Sequence, residues 1–488
     1  MKISEDVVTE TEDLIDTLET DDQVAYAEAG AIFIDTATVS TAGETVERSS
    51  EISESGVWCR VFADGAAGYR YTTDIDNVSN IGLLARKRAQ VLGQSAVAQY
   101  DTTTTHRGTH TGWATGGRNA DIDLDTKVET VRSKANRLRD SGATRMYYED
   151  VSRDDIILTT TGGAIRTSID RNWIDIRSSV DTKNGNSVNV RQQSGNTLGF
   201  KDSGEELIDN AIDEISEQKS RMSTYRTTDR SGTETVVLSG SVAGKLFHEF
   251  ARYLEMDTVY FGSSTMEVGD TVTSDLITID DTVEPGNWAA IAFDAEGKVT
   301  SPLRLVSDGV VKNRLHSTAT ALAEEKQPSG QFIFSTNPES PPRIHSRHLD
   351  IKAGATPEEE MLAGGDVYIE SVGAPALTNE ATETKQSSKM PPSALYAEDI
   401  ADQTPADYSE AATEQSIHLP VTEGYTLENG EKTRLLSNAS LIVSLNDFKT
   451  ISEVGISRST VDGTQEKNNS RIPFSATSPA LALNADLR

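Results

Sequence analysis

From Gly30 to Thr73 apolar and polar residues alternate with the two-residue period of strands, with turns expected at Gly43, Asp64-Gly65 and Gly68. NIGLLARKRAQVLGQSA then takes on helical spacing, and DTKVETVRSKANRLRDSG predicts another helix. DIILTTT, NWIDIRSSV and SVNVRQQ return to alternation. SGEELIDNAIDEISEQKSRM predicts a helix with Ser203 as N-cap, acidic residues in its first turn, and Lys219 and Arg221 in its last.

The polar stretch TDRSGTET, 228–235, reads as a linker, and the pattern changes beyond it. One helix is expected over 242–257. LITIDD, NWAAIAFD, SPLRLVSDGVV, GDVYIESVG, SIHLPVT, TRLLSNASLIVSL and SRIPFSA then read as short, mostly alternating strands. The predicted fold is α+β: an N-terminal α/β domain of helices on a sheet (1–231) and a C-terminal, mostly antiparallel β domain (232–488). The second is expected to be barrel-like or sandwich-like, with one motif-bearing helix. Residues 376–414 are acidic and poor in strand signals, and read as a partly disordered surface insertion.

Charge sharpens the picture. The 488 residues carry 45 Lys plus Arg against 77 Asp plus Glu, a formal net charge of −32, and only 17 of the basic residues are Lys. Such a surface suits a salty, halophilic cytoplasm, because at 1 M salt the Debye length falls to about 3 Å and self-repulsion is screened. It disfavours nucleic acid and anionic membrane as partners. The start has no secretory apolar core and no stretch approaches a membrane span, so a cytoplasmic location is expected. Cys59 stands alone, which excludes an intrachain disulfide framework, and its setting predicts a buried strand position.

The candidate chemistry lies on the expected helix. Val242, Leu246, Phe247, Phe250, Tyr253 and Leu254 form its apolar stripe, while His248 points away, beside Arg252 and Glu255. One reading makes this an ordinary solvated polar face. The other takes His248 as a metal ligand and Glu249 as general base of a zinc peptidase. A hydrolytic zinc needs about three protein ligands and an open position for water. Here i+4 is Arg252 and i+5 is Tyr253. His345 and His348, or His106 and His110, have spacings that could chelate, although both stretches read as hydrophilic surface loops.

In their shared order these segments resemble the TldD/PmbA family of metallopeptidases. GVWCRVFADGAAGY, VLSGSVAGKLFHEFARYLEMD, LITIDDTVEPGNWAAIAFDAEGKV, SDGVVKNRL, GDVYIESVG and NNSRIPFSATSPALALNADL carry the likeness. The resemblance implies an active-branch helix reading His-Glu-x-x-x-His and a late Cys that completes a zinc site. Carried over, His248 matches the first ligand and Glu249 the general base, while Tyr253 holds the second ligand's place. The late Cys falls around Lys467–Ser470, where Asn468 and Asn469 stand. The family's metal-free branch pairs with its active branch. The resemblance thus implies a TldD/PmbA-type partner subunit, short or unfolded peptide as substrate, and either no cofactor or zinc if the chain is active.

Overall fold

The computed structural model describes residues 3–92, 106–115, 117–141, 144–260, 264–328, 330–334, 338–373, 376–379, 415–467 and 470–488. The main part of the expected acidic insertion, 380–414, lies outside the described residues, as do Asn468 and Asn469.

A seven-stranded sheet runs in the order Ala66–Thr72, Thr45–Ala63, Tyr26–Ala42, Arg145–Thr159, Ala164–Asp181, with Arg107–His110 and Ser187–Asn196 both pairing with the last of these. Strand alternation gives it two distinct faces. Ala27, Ala29, Ala31 and Val39 face helices; Glu28, Ile34 and Thr36 face the other way. One end of the helical face is covered by Glu5–Glu19, capped by the Ser4 hydroxyl, and Val78–Leu92. The other end is covered by Leu124–Ala135, capped by Asp123, and Glu205–Ser223. Small side chains set the closeness of this packing. A Cβ on Gly68 would stand 2.0 Å from the Ala85 carbonyl oxygen, so helix backbone rests directly on the strand.

That contact corrects one expected turn: Gly68 lies within the strand Ala66–Thr72. The other two turns are present, with Gly43, Asp64 and Gly65 at φ of 56°, 51° and 81°. Ser203 is not the N-cap expected of it. A π-helical turn, Phe200–Gly204, precedes the helix and the cap falls at Gly204.

The rest of the chain forms a thirteen-stranded, mostly antiparallel sheet with three parallel pairings. Within it five strands close a ring: Ser470–Leu487, Gly232–Leu238, Val367–Val372, Gln415–Glu428 and Ser440–Ser444. This is the barrel that the alternation predicts, and the chain is α+β. Its largest apolar core joins Val236, Leu238, Ile369, Leu419, Val443 and Leu481 to Leu246, Phe247 and Phe250 of the motif helix.

Two expectations fail here. NWAAIAFD is not a strand but a series of turns, anchored by Trp288, whose indole donates to the Gly463 carbonyl at 2.8 Å. Glu453–Lys467, unmarked by its pattern, is a fifteen-residue strand forming an antiparallel hairpin with Ser470–Leu487.

Candidate active site

The motif helix is shorter than 242–257. It spans Gly240–Ala251, capped by the Ser239 hydroxyl, and a 3-10 turn, Arg252–Leu254, ends it. Glu255 is extended (φ −79°, ψ 128°), and its neighbours bond to Leu315: Leu315 N donates to Leu254 O at 2.8 Å and Met256 N to Leu315 O at 3.0 Å. A short helix, Met256–Tyr260, follows. The kink turns Glu255 inward instead of leaving it on a helical polar face.

The solvated reading of that face is therefore wrong. His248 and Glu255 are 0% exposed and Glu249 1%. A single apolar stripe assumes a single packing surface. This helix has a second, because the hairpin Glu453–Leu487 covers its polar side: the Phe474 ring stacks on the His248 imidazole at 3.6 Å between centroids. Gly244 permits the approach, since a Cβ there would meet Val461 at 2.9 Å and Ala476 at 3.2 Å.

A chain of polar groups runs through this interior. His248 Nε2 lies 3.2 Å from His345 Nε2. On its other side, His345 Nδ1 lies 2.8 Å from Glu255 Oε1, which assigns the proton to Nδ1 and leaves Nε2 an acceptor. The Lys467 ammonium donates to the other Glu255 oxygen and to the Ile344 carbonyl, and stands 3.6 Å from Asp257. Burial, reinforced by neighbouring positive charge, holds His345 well below the ordinary imidazole range, so it is neutral. Burial also raises the carboxyls of Glu255 and Asp257, against the pull of Lys467.

Glu249 has its own partners. Arg252 Nη1 donates to Oε2 at 2.9 Å, and His248 Nδ1 stands 3.5 Å from Oε1, too distant and poorly aimed for a good hydrogen bond. With its nitrogen turned inward, the Gln465 amide donates to Oε1 at 2.7 Å and accepts from Arg252 at 3.2 Å. Burial raises this carboxyl, while the neighbouring His248 and the Arg252 guanidinium act the other way and the lowering wins. A carboxylate so firmly ionised is a weak proton acceptor at neutral pH.

The remaining expectations separate cleanly. His345 is buried, not a surface-loop residue, and meets His248 across 97 residues of sequence. His348 is buried too, but its Nε2 lies 3.0 Å from the Thr477 hydroxyl. His110 stacks on Trp113 at 4.5 Å, by the first sheet. Tyr253 belongs to the apolar core, where burial pushes its hydroxyl up to about 12 and keeps it a phenol. Cys59 is buried in its strand, as its setting predicts. Glu255 and Lys467 were not legible as site residues, although the acids in LEMD were a signal.

Would these groups hold zinc? The two Nε2 atoms stand at about the separation that two imidazoles span across a tetrahedral ion with bonds of roughly 2.0–2.1 Å. Among the described residues a third donor is missing. Both Glu255 oxygens are engaged by His345 and Lys467, and Glu249 is engaged by Arg252. Among the described residues no three His, Cys, Asp or Glu side chains are grouped to hold a metal ion. An ammonium and a guanidinium occupy the acids that would support one. The donor set does not fit a catalytic zinc.

The family motifs outside the helix act structurally. Asp281 pairs with the buried Arg347 guanidinium at 2.7 Å. Asp294 accepts from the backbone amides of Glu296 and Lys298, both at 2.9 Å, closing the turn. Glu296 reaches the first sheet, where Arg60 binds it at 2.6 Å and Glu28 at 2.7 Å.

Comparison with known proteins agrees with this architecture. Residues 231–387 match the PmbA/TldA metallopeptidase C-terminal domain, and residues 27–90 match PmbA/TldA metallopeptidase domain 1. A metalloprotease of Synechocystis sp. is 28% identical over 229 residues, 45% of this chain and 48% of that protein. The chain thus aligns with about half the length of that relative. A metalloprotease of Methanothermobacter thermautotrophicus is 23% identical over 359 residues, 71% of this chain and 76% of that one. Among solved structures, a Thermotoga maritima chain named for modulation of a DNA gyrase superposes with TM-score 0.69 at 16% identity, covering 99% of this chain and all of that one. TldE from Thermococcus kodakarensis gives 0.66 at 12% identity, covering 98% and 99%. The solved structures show a shared fold, and with family domains matched in both halves the chain belongs to the PmbA/TldD family.

Proposed function

We propose that this protein is the metal-free or regulatory subunit of a heteromeric TldD/PmbA peptidase, with the catalytic metal supplied by a partner subunit. One observation carries the reading. In the buried chain His248–His345–Glu255–Lys467, a protein ammonium neutralises the carboxylate that would otherwise orient a metal-binding histidine. The substrate of such an assembly is short or unfolded peptide, because groups this deeply enclosed are closed to folded protein. The surface charge argues for a salty cytoplasm and against nucleic acid as partner. No helix among the described residues is long and apolar enough to cross a membrane. We divide the chain at 231/232, consistent with the first sheet ending at Asn196 and the second taking in nearly all later strands.

The test is metal content beside a pull-down in high salt. The tagged chain is expected to carry well under one equivalent of divalent metal and to retain a homologue that keeps His-Glu-x-x-x-His and the late Cys. Stoichiometric zinc on the isolated chain, with peptide hydrolysis lost in His248→Ala and Glu249→Gln, would establish the second reading, an active metallopeptidase with a rearranged site. The 3.2 Å convergence of His248 and His345 is what favours that alternative.

A further inference from the structure

The hairpin Glu453–Leu487 has two faces. Alternation puts Gln465, Lys467 and Phe474 toward His248, and Thr464, Arg471 and Pro473 toward the first sheet. On that second side lie two cavities of about 60 and about 120 Å3, which share Arg153, Arg171 and Phe334 as walls. The larger is also lined by Arg471, Trp288 and Pro473.

The charges in this cleft are unevenly answered. Arg153 is held by Asp155 through contacts of 2.8–3.0 Å and stacks 4.8 Å from the Phe334 ring. Arg471 stands 3.9 Å from Glu149, loosely paired and 40% exposed in its side chain. Glu149 is already engaged by the Tyr147 hydroxyl at 2.6 Å. Arg171 donates from Nε to the Trp288 carbonyl at 3.2 Å, and no carboxylate among the described residues forms an ion pair with it. Burial, with Arg153 nearby, pulls its guanidinium down to about 10 against the charge of Asp155, whose oxygens are already bonded to Arg153. A desolvated guanidinium without a counter-ion is costly, and its planar fork of donors matches a carboxylate. In a protein of net charge −32, the larger cavity sets three arginines against one acid, Glu149, while Asp155 and Asp294 line the smaller.

We propose that this cleft binds the carboxylate of a short peptide, with Arg171 as principal partner, Arg471 completing the charge, and Trp288, Phe334 and Pro473 accepting the adjoining apolar side chain. The choice of a peptide as carrier rests on the peptidase kinship; the preference for a planar anion rests on Arg171 alone.

Titration calorimetry on the full chain at fixed ionic strength tests it, with N-acetyl-leucine, N-acetyl-leucinamide and inorganic phosphate as probes. The acid is expected to bind at least tenfold more tightly than the amide. Arg171→Gln should abolish that preference and Arg471→Gln reduce it about fivefold, while the exposed Lys183→Gln leaves it intact. Because Arg471 is partly exposed, its variant reads out even if Arg171→Gln fails to fold. Acid and amide binding alike, no binding at millimolar concentration, or phosphate binding as tightly as the acid would each overturn the proposal. The readout involves neither metal nor turnover, so its failure leaves the subunit assignment standing, and the converse holds.

Discussion

The two sides of the hairpin Glu453–Leu487 treat buried cations in opposite ways. Toward the motif helix the cations beside the histidines have their acids: Lys467 holds Glu255, and Arg252 holds Glu249. Toward the first sheet Arg171 has only a carbonyl. A desolvated charge is tolerated when a partner answers it and is costly otherwise. The difference teaches where this protein is closed upon itself and where it is open to a ligand.

The comparison can be broken most forcefully at Lys467. Lys467→Met leaves Glu255 buried without its counter-ion and should cost about 3–5 kcal/mol in urea unfolding. The double variant with Glu255→Gln should recover most of that loss. If the single variant is neutral, the histidine side is not the self-neutralised network described.

A second test lies where acids outnumber cations. Arg60 pairs with both Glu28 and Glu296, with Asp294 close by. Burial raises Glu28 from 4.5 to about 7, against Arg60 and with help from Glu296; burial and Glu296 raise Asp294 from 3.8 to about 8. Carboxyls raised in the folded state take up protons on folding. Their contribution is complete below about pH 4 and is lost as pH climbs through 7 to 8. Thermal unfolding should therefore show stability falling from about pH 4.5 to 8, and Glu28→Gln should remove up to one proton's slope, about 1.4 kcal/mol per pH unit, below about pH 7. An unchanged slope in the variant would show that Glu28 is not part of this linkage.

The smallest effect is the sharpest contrast. Arg171→Gln removes a charge that has no ion pair among the described residues, so unfolding free energy should hold or rise slightly. A loss comparable with that of Lys467→Met would reveal a structural role for Arg171 and erase the distinction between the two faces.

How much of this was legible? Local periodicity found most strands of the first sheet and three of the four helices upon it, because each has one packed face and one exposed face; it missed the helix Glu5–Glu19 and read the strand Arg107–His110 as a loop. The same assumption misread His248, whose helix is packed on both sides. The strand Glu453–Lys467 escaped notice because its composition is polar and residues 456–460 are exposed, which leaves little buried alternation to read. Conversely, NWAAIAFD looked like a strand because turns that bury Trp288 and Ala290 mimic alternation. The family motif pointed to the correct helix. The meeting of His248 with His345 depends on a kink at Glu255 and on Leu315, and no spacing within ten residues could have shown it.

Thr464 and Gln465 are consecutive residues, yet one borders the arginine cleft and the other touches Glu249. The two compartments are back to back, divided by a partition one β-strand thick. The backbone that walls the arginine cleft is thus the same backbone that sets the Phe474 ring on His248.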